Sequence, residues 1–167
     1  MTATAAPSAA FLRLMRSRWA FGAYLRRKVP MAAFARIRLE SIDADRCRVT
    51  VPYSRRTTNP FRSTYFGALA AAAELSTGIL AMAHLYDHRE QVAMLMVNCR
   101  ADFDKKATDL TVFECDQGAL VAAVIAQTMQ QPEPRTITMQ TVGKNQAGDI
   151  VARLEFTWSF KARSRAA

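Results

Sequence analysis

The run from Phe66 to Tyr86 constrains the fold of this chain more than any other segment. It is almost wholly apolar or small, with few polar interruptions. Such a segment has almost no polar face to give to solvent, so we interpret it as a helix buried in a protein core rather than a membrane span. A buried helix must be covered by other elements. Together with the hairpin-like strand pairs that flank it, the run predicts an α+β fold, in which an antiparallel sheet wraps around a long central helix.

Segments on both sides of this run alternate apolar and polar residues, the period expected of half-buried strands. Residues 34–42 and 46–54 predict a hairpin before the helix. The apolar start of 91–103 is typical of a central strand that is buried on both faces. The remaining elements are predicted as a strand at 109–116, a short helix at 119–131, and a closing hairpin at 135–144 and 150–163. The inward residues of the last strand would be Ile150, Ala152, Leu154, Phe156, Trp158 and Phe160.

The positive charge of the chain is concentrated near its N-terminus. The net charge is +9, and no acidic residue precedes Glu40. Residues 1–30 predict one basic amphipathic helix, which runs from Ser8 to Arg27. We expect this helix to be part of the same domain as residues 31–167, which form a single sheet-and-helix unit. We expect this helix to cap the domain, although contact with a membrane surface, steering of an anionic ligand or a transit role stays open. No nucleic-acid-binding motif accompanies the charge, so we expect no nucleic-acid partner.

Glu74 is the unexpected residue of the central helix, because ionised carboxylates are rarely buried without a partner or a purpose. The helix positions that share its face are all small: Gly67, Ala70, Ala71, Thr77, Gly78 and Ala81. A carboxylate on a floor of small residues has room beside it for a ligand. The alternative is a buried salt bridge, for instance with an arginine from a neighbouring strand or subunit, and the residues alone do not separate these two interpretations.

The spacing from Asn59 to Glu74 resembles that of hotdog-fold acyl-CoA thioesterases of the phenylacetyl-CoA thioesterase type. In that family an Asn is followed six residues later by a His-Gly-Gly turn that opens the central helix, and an acidic residue lies nine positions after the His. Here Tyr65, Phe66 and Gly67 occupy the turn. The order of elements is also the hotdog order, and the resemblance covers roughly residues 34–163. Because Tyr65 and Phe66 replace two of the turn residues, the chain is most similar to an uncharacterised branch of the superfamily.

The resemblance implies hydrolysis of an acyl-CoA thioester. Glu74 would act as general base or nucleophile, the Gly67 amide would stabilise the oxyanion, and Asn59 would orient the water or the thioester oxygen. Tyr65 could donate a hydrogen bond where the family has His. It would contact the substrate together with Phe66, Arg62 and Arg56. The CoA phosphates would meet basic residues at the pocket mouth, for which the candidates are Arg55, Arg56, Arg62, Lys105, Lys106 and Arg135.

The resemblance further implies a homodimer or a dimer of dimers, in which the strand at 92–103 pairs across the interface. No cofactor is expected. His84 and His88 stand at the i, i+4 spacing of zinc ligands, but no further ligand supports them, so we expect no metal. The cysteines (Cys47, Cys99 and Cys115) are predicted to be small core residues of a cytoplasmic protein. The rival interpretation is an acyl-CoA or fatty-acyl binding protein that keeps this fold without its chemistry.

Overall fold

The computed structural model describes residues 6–131 and 133–163, in which six strands form one sheet. The helices are α1 (Ala9–Arg16), α2 (Arg18–Lys28), α3 (Pro30–Phe34), α4 (Phe66–Leu85) and α5 (Gly118–Gln130), with a 3-10 turn at Tyr86–His88. The strands are β1 (Arg38–Ile42), β2 (Cys47–Val51), β3 (Val92–Phe103), β4 (Thr111–Cys115), β5 (Arg135–Lys144) and β6 (Ile150–Ala162).

The sheet wraps around α4, as the apolar run predicts. Its strand order is β1-β2-β4-β5-β6-β3, every neighbouring pair is antiparallel, and α4 packs against β2, β4, β5 and β6. By length and composition α4 and the turn after it could cross a membrane, yet most of the helix is buried within the protein. Two buried hydroxyls fix the helix on the sheet, because Ser76 Oγ lies 2.8 Å from Thr141 Oγ1.

Strand β6 follows the predicted alternation closely. Ala152, Leu154, Phe156, Trp158 and Phe160 are all buried, whereas Ile150 at the strand start is only partly covered. These side chains form one face of the core against α4. The hydrophobic period therefore fixes which face of this strand turns inward, since successive residues point to opposite faces of a sheet.

The N-terminal segment forms two helices where we expected one helix from Ser8 to Arg27. Ser17 ends α1 and caps α2: its amide donates to Leu14 O, and its hydroxyl accepts a hydrogen bond from the Ala20 amide at 3.4 Å. Serine is a favoured N-cap residue, and this competition with the helix bonds explains the break. The apolar side chains of both helices join the same core as α4, namely Phe11, Leu12, Met15, Phe21 and Leu25.

Strand β3 is an edge strand, so the prediction that it is central and buried on both faces is wrong for the single chain. Within the described part of the chain it pairs only with β6, and every residue of the strand from Leu95 onward is exposed. Cys99 lies on this strand and is exposed, in contrast to the core position that we expected. Cys47 and Cys115 are core residues that face each other across β2 and β4. Burial raises the pKa of Cys115 to about 11, so that thiol is poorly reactive.

Candidate functional site

The Glu74 side chain lies beside the indole ring of Trp158, over the gap left by Gly78. A Cβ placed on Gly78 would be 3.2 Å from Glu74 Oε1 and 3.3 Å from Trp158 Cζ2. The carboxyl oxygen and the ring therefore both contact the space that the missing side chain leaves open. The sequence predicts a floor of small residues at this point. The aromatic wall comes from β6, which is far away along the chain.

The Glu74 carboxylate has no hydrogen-bond or ion-pair partner among residues 6–131 and 133–163. The salt bridges of this part of the chain all join other residues. A salt bridge to an arginine of the same chain is thus not what explains Glu74. Burial raises the pKa of its carboxyl group, because removal from water penalises the charged form and no nearby cation compensates.

Tyr24 of α2 approaches the same site from the N-terminal segment. Burial, and after it the negative charge of Glu74, raises the pKa of the Tyr24 phenol. The ring of Tyr24 is partly buried against the core. Helix α2 thus contributes a phenol to the surroundings of the carboxylate, a contribution that sequence reasoning missed. The helical spacing of Tyr24 with Phe21 indicates only an inward face.

The N-terminus of α4 presents free amides beside two aromatic rings. The amides of Ala68 and Leu69 donate to the Tyr65 carbonyl, at 2.9 and 3.2 Å. Those of Phe66 and Gly67 have no protein acceptor in the part of the chain that the structure describes. Such free amides, together with the helix dipole, favour an anionic oxygen. Gly67 also accommodates the Tyr65 ring, since a Cβ there would lie 2.7 Å from Tyr65 Cε1.

Asn59 organises the loop that leads into this helix. Its Oδ1 accepts hydrogen bonds from the amides of Phe61 at 3.0 Å and Ser63 at 3.1 Å, and its Nδ2 donates to Ser63 Oγ at 3.1 Å. These contacts hold the carboxamide within the loop. In this structure Asn59 therefore positions the approach to the Phe66 and Gly67 amides, and its oxygen is already occupied.

A cleft of about 320 Å³ opens beside the start of α4. One wall consists of Asn59 and Phe66, and the opposite wall is the segment that follows β3. Lys106 Nζ donates to the Phe61 carbonyl at 3.3 Å, and Lys105 pairs with Asp149 at 2.7 Å. The further lining residues are Ser63, Thr64, Leu69, Phe103, Asp104 and Ala107. The cleft therefore brings two of the predicted cations to the loop and the helix N-terminus.

The other predicted cations lie away from this cleft lining. The guanidinium of Arg56 stands 5.3 Å above the Phe34 ring and donates to the Phe34 carbonyl at 3.4 Å. Arg62 is exposed in the loop with a φ of 59°, Arg55 is exposed, and Arg135 bonds to Gln131 at the start of β5. Because its guanidinium contacts Phe34 of α3, Arg56 is not available to bind a ligand in its present conformation.

His84, which stands at the i, i+4 spacing from His88, makes a structural contact. It is buried, and its Nε2 lies 2.8 Å from the Ala44 carbonyl in the turn between β1 and β2. Among the described residues no three His, Cys, Asp or Glu side chains form a group that could hold a metal ion.

The structure resembles a set of solved proteins with the hotdog fold. A probable thioesterase of otherwise unknown function from Pseudomonas aeruginosa superposes with a TM-score of 0.75 at 16% identity, covering 90% of this chain and 99% of that one. A protein of unknown function from Chlorobaculum tepidum gives 0.76 at 12% identity, with 96% and 99% covered. A thioesterase from Haemophilus influenzae gives 0.67 at 12% identity, with 87% and 91% covered.

These likenesses confirm the hotdog fold that the sequence resemblance predicts. Residues 17–160 match the family model described as a domain of unknown function (DUF4442). The chain belongs to that family, in agreement with the uncharacterised branch that the altered helix-opening turn suggests. No curated protein matches the chain.

Proposed function

We propose that this protein hydrolyses acyl-CoA thioesters, with Glu74 as the general base. The observation that carries the proposal is a largely buried carboxylate in the central helix of a hotdog fold, which lies against Gly78 and has no hydrogen-bond or ion-pair partner among the described residues. A raised pKa makes this carboxylate a stronger base than a solvated one, and perturbed carboxyl groups are characteristic of catalytic sites.

The reaction would start with a water molecule hydrogen-bonded to Glu74. The carboxylate takes a proton from the water as its oxygen adds to the thioester carbonyl carbon, and the carbonyl electrons move onto oxygen. The free amides of Phe66 and Gly67 would stabilise this oxyanion. Collapse of the intermediate breaks the carbon–sulfur bond, and the departing thiolate takes the proton back from Glu74.

The spacing of these groups favours a site made by two copies of the chain. Glu74 lies seven positions after Gly67, which places them about 10 Å apart along the helix axis at 1.5 Å per residue. A carbonyl held by the amides of one helix is therefore beyond the reach of a water on the carboxylate of the same helix. A second α4, running antiparallel, could bring Glu74 of the partner subunit opposite Gly67. We propose that β3 pairs with its counterpart across this homodimer, which can associate further into a dimer of dimers.

Lys105 and Lys106 are our proposed contacts for the anionic end of CoA, because both line the cleft beside the helix N-terminus. Phe66, on the same cleft, would contact the thioester or the acyl chain, with Tyr65 beside it. Cys47, Cys99 and Cys115 are free thiols, which suits a reducing compartment, and we propose the cytoplasm as the location of the protein.

Peripheral membrane contact is a further proposal, supported by the exposure of the N-terminal helices. Trp19 is 88% exposed and shares a face of α2 with Ala23 and Arg26, at i, i+4 and i+7. A tryptophan next to arginines suits the interface of an anionic membrane.

The test of the hydrolase proposal is thioester cleavage across a panel of acyl-CoAs by wild type and Glu74→Gln. Glutamine keeps the shape of the side chain but cannot accept the proton, so we expect the rate to fall at least about a hundredfold. Glu90→Gln is the matched control, since that carboxylate is 90% exposed. Equal rates for wild type and Glu74→Gln would contradict the assignment.

One observation favours a second function, a binding protein for acyl-CoA or fatty acyl groups. The Tyr65 ring packs against Gly67 at the start of α4. The thioesterases that the sequence resembles have a histidine at the position of Tyr65 and a glycine at the position of Phe66. Saturable acyl-CoA binding by wild type and Glu74→Gln alike, without hydrolysis by either, would establish this function and exclude the first.

A further inference from the structure

We propose that Trp158 and Thr77 are positioning residues for Glu74, with the indole ring covering one side of the carboxyl group and Thr77 fixing that ring. The inference rests on the proposed function in one respect: it assigns the ring a purpose in preparing the catalytic base. The contacts themselves are features of the fold.

A chain of hydrogen bonds links the ring to the helix turn that carries Glu74. The indole Nε1 donates to Thr77 Oγ1 at 3.1 Å, and the Thr77 hydroxyl donates to the Glu74 carbonyl at 3.0 Å. Each group therefore has its partner, and Thr77 is fully buried. The two bonds fix the orientation of the indole plane relative to the helix.

The sheet fixes the ring from the other side. Trp158 is 6% exposed, and in the register of the sheet it pairs with Ile137 of β5 and Met96 of β3. A residue between two strands has little freedom to rotate away. The ring edge therefore remains against the gap at Gly78, where Glu74 Oε1 also lies.

Glycine at position 78 allows this arrangement. An alanine there would place its Cβ 3.2 Å from the carboxyl oxygen and 3.3 Å from the ring, which is tighter than ordinary packing. Glycine in a helix interior costs about 1 kcal/mol relative to alanine. Here the absence of a side chain lets the ring edge and the carboxyl oxygen both lie against position 78, so that the ring excludes water from that side of the carboxylate.

Coverage by the Trp158 ring contributes to the raised pKa of the Glu74 carboxyl group. Burial is the cause that raises its pKa. Tyr24 of α2 is the titratable group whose own pKa responds to the Glu74 charge. Exposure of the carboxylate to water on the Trp158 side would lower its pKa toward the ordinary value.

The test is a ¹³C NMR titration of the Glu74 carboxyl group in the full chain, with Glu74→Gln used to assign the signal. Trp158→Phe removes the outer ring atoms that face Gly78, and Thr77→Val removes the hydrogen bond while keeping the shape. We expect both variants to titrate at a lower pH than wild type. Thr77→Ser keeps the hydroxyl and is expected to restore the wild-type midpoint.

An unchanged midpoint in folded Trp158→Phe and Thr77→Val would overturn the inference. The titration needs no turnover, so it separates the two proposals. Hydrolysis that depends on Glu74 with unshifted midpoints would leave the function standing and refute the positioning role. Shifted midpoints in a protein that hydrolyses no acyl-CoA would support the positioning of Glu74 and refute the hydrolase function. In an active enzyme, the rise of kcat/KM with pH should move to lower pH in the same variants, because the base form is then reached earlier.

Discussion

Replacement of Glu74 by Gln should stabilise the protein at neutral pH while it removes activity. The carboxylate is largely buried and has no hydrogen-bond or ion-pair partner among the described residues, so its charge lowers the stability of the folded chain. Gln keeps nearly the same volume, and its amide is also unpaired, so the charge is the main difference. An unpaired buried polar group costs about 1–3 kcal/mol and a charged one costs more. Gln still pays the cost of the neutral group, so we expect Glu74→Gln to stabilise the protein near pH 7 by about 1–2 kcal/mol, through the loss of the buried charge alone.

The effect has a defined pH window. The pKa of Glu74 is raised in the folded chain, so the folded state holds this proton more tightly than the unfolded state does. The resulting stability is fully present below the unfolded-state pKa, near the ordinary value of 4.5, and is lost as the pH rises through the folded-state pKa. Wild type and variant should therefore be equally stable in mild acid and diverge as the pH rises.

The assay is urea unfolding followed by tryptophan fluorescence at several pH values. Protein concentration must be held fixed, because formation of the proposed dimer would make the apparent stability concentration-dependent. The exposed Glu90→Gln should show no such divergence. A Glu74→Gln variant that is equally or less stable than wild type near pH 7 would refute the reasoning, because it would mean that the carboxylate gains a partner in solution, for example in the dimer.

Two further predictions concern surfaces. Leu95→Lys places a charge on β3, where Leu95 is 66% exposed, and should block pairing of this edge with a second chain. Light scattering should then give the 18.6 kDa mass of one chain in place of twice that mass. A variant that is still dimeric would show that the interface does not include β3. Trp19→Ala should reduce sedimentation with vesicles that contain anionic lipid, with no change for neutral vesicles. Equal sedimentation of wild type and Trp19→Ala would contradict the proposed membrane contact.

The sequence is sufficient to predict the elements whose pattern is local. The buried central helix follows from a run without a polar face, and the inward face of β6 follows from strict alternation. The break at Ser17 is different, because the same apolar spacing suits one helix or two, and only the cap hydrogen bonds decide between them. The prediction that β3 is a central strand was wrong for a related reason. An apolar strand has the same composition whether its own chain or a second copy covers it.

Some residues of the candidate site can likewise be predicted from the sequence, and others cannot. Glu74 is visible in the sequence because a charge interrupts an apolar run. Trp158 and Tyr24 are not, since their nearness to Glu74 depends on where β6 and α2 lie in the fold. Patterns of period 2 or 3.6 give the direction of a side chain, but they do not give its neighbour across the core.

The two edges of the sheet differ in a way that limits how many copies of the chain can join through it. Edge β1 has only five residues, a bulge between Leu39 and Ser41, and α1 beside it, from which Arg16 Nε donates to the Ile42 carbonyl at 3.0 Å. Edge β3 has twelve residues. A sheet with two long open edges can add copies without end, whereas one with a single open edge closes after one pairing. Strand addition in this protein should therefore end in a continuous sheet of two chains and should not propagate into a fibre.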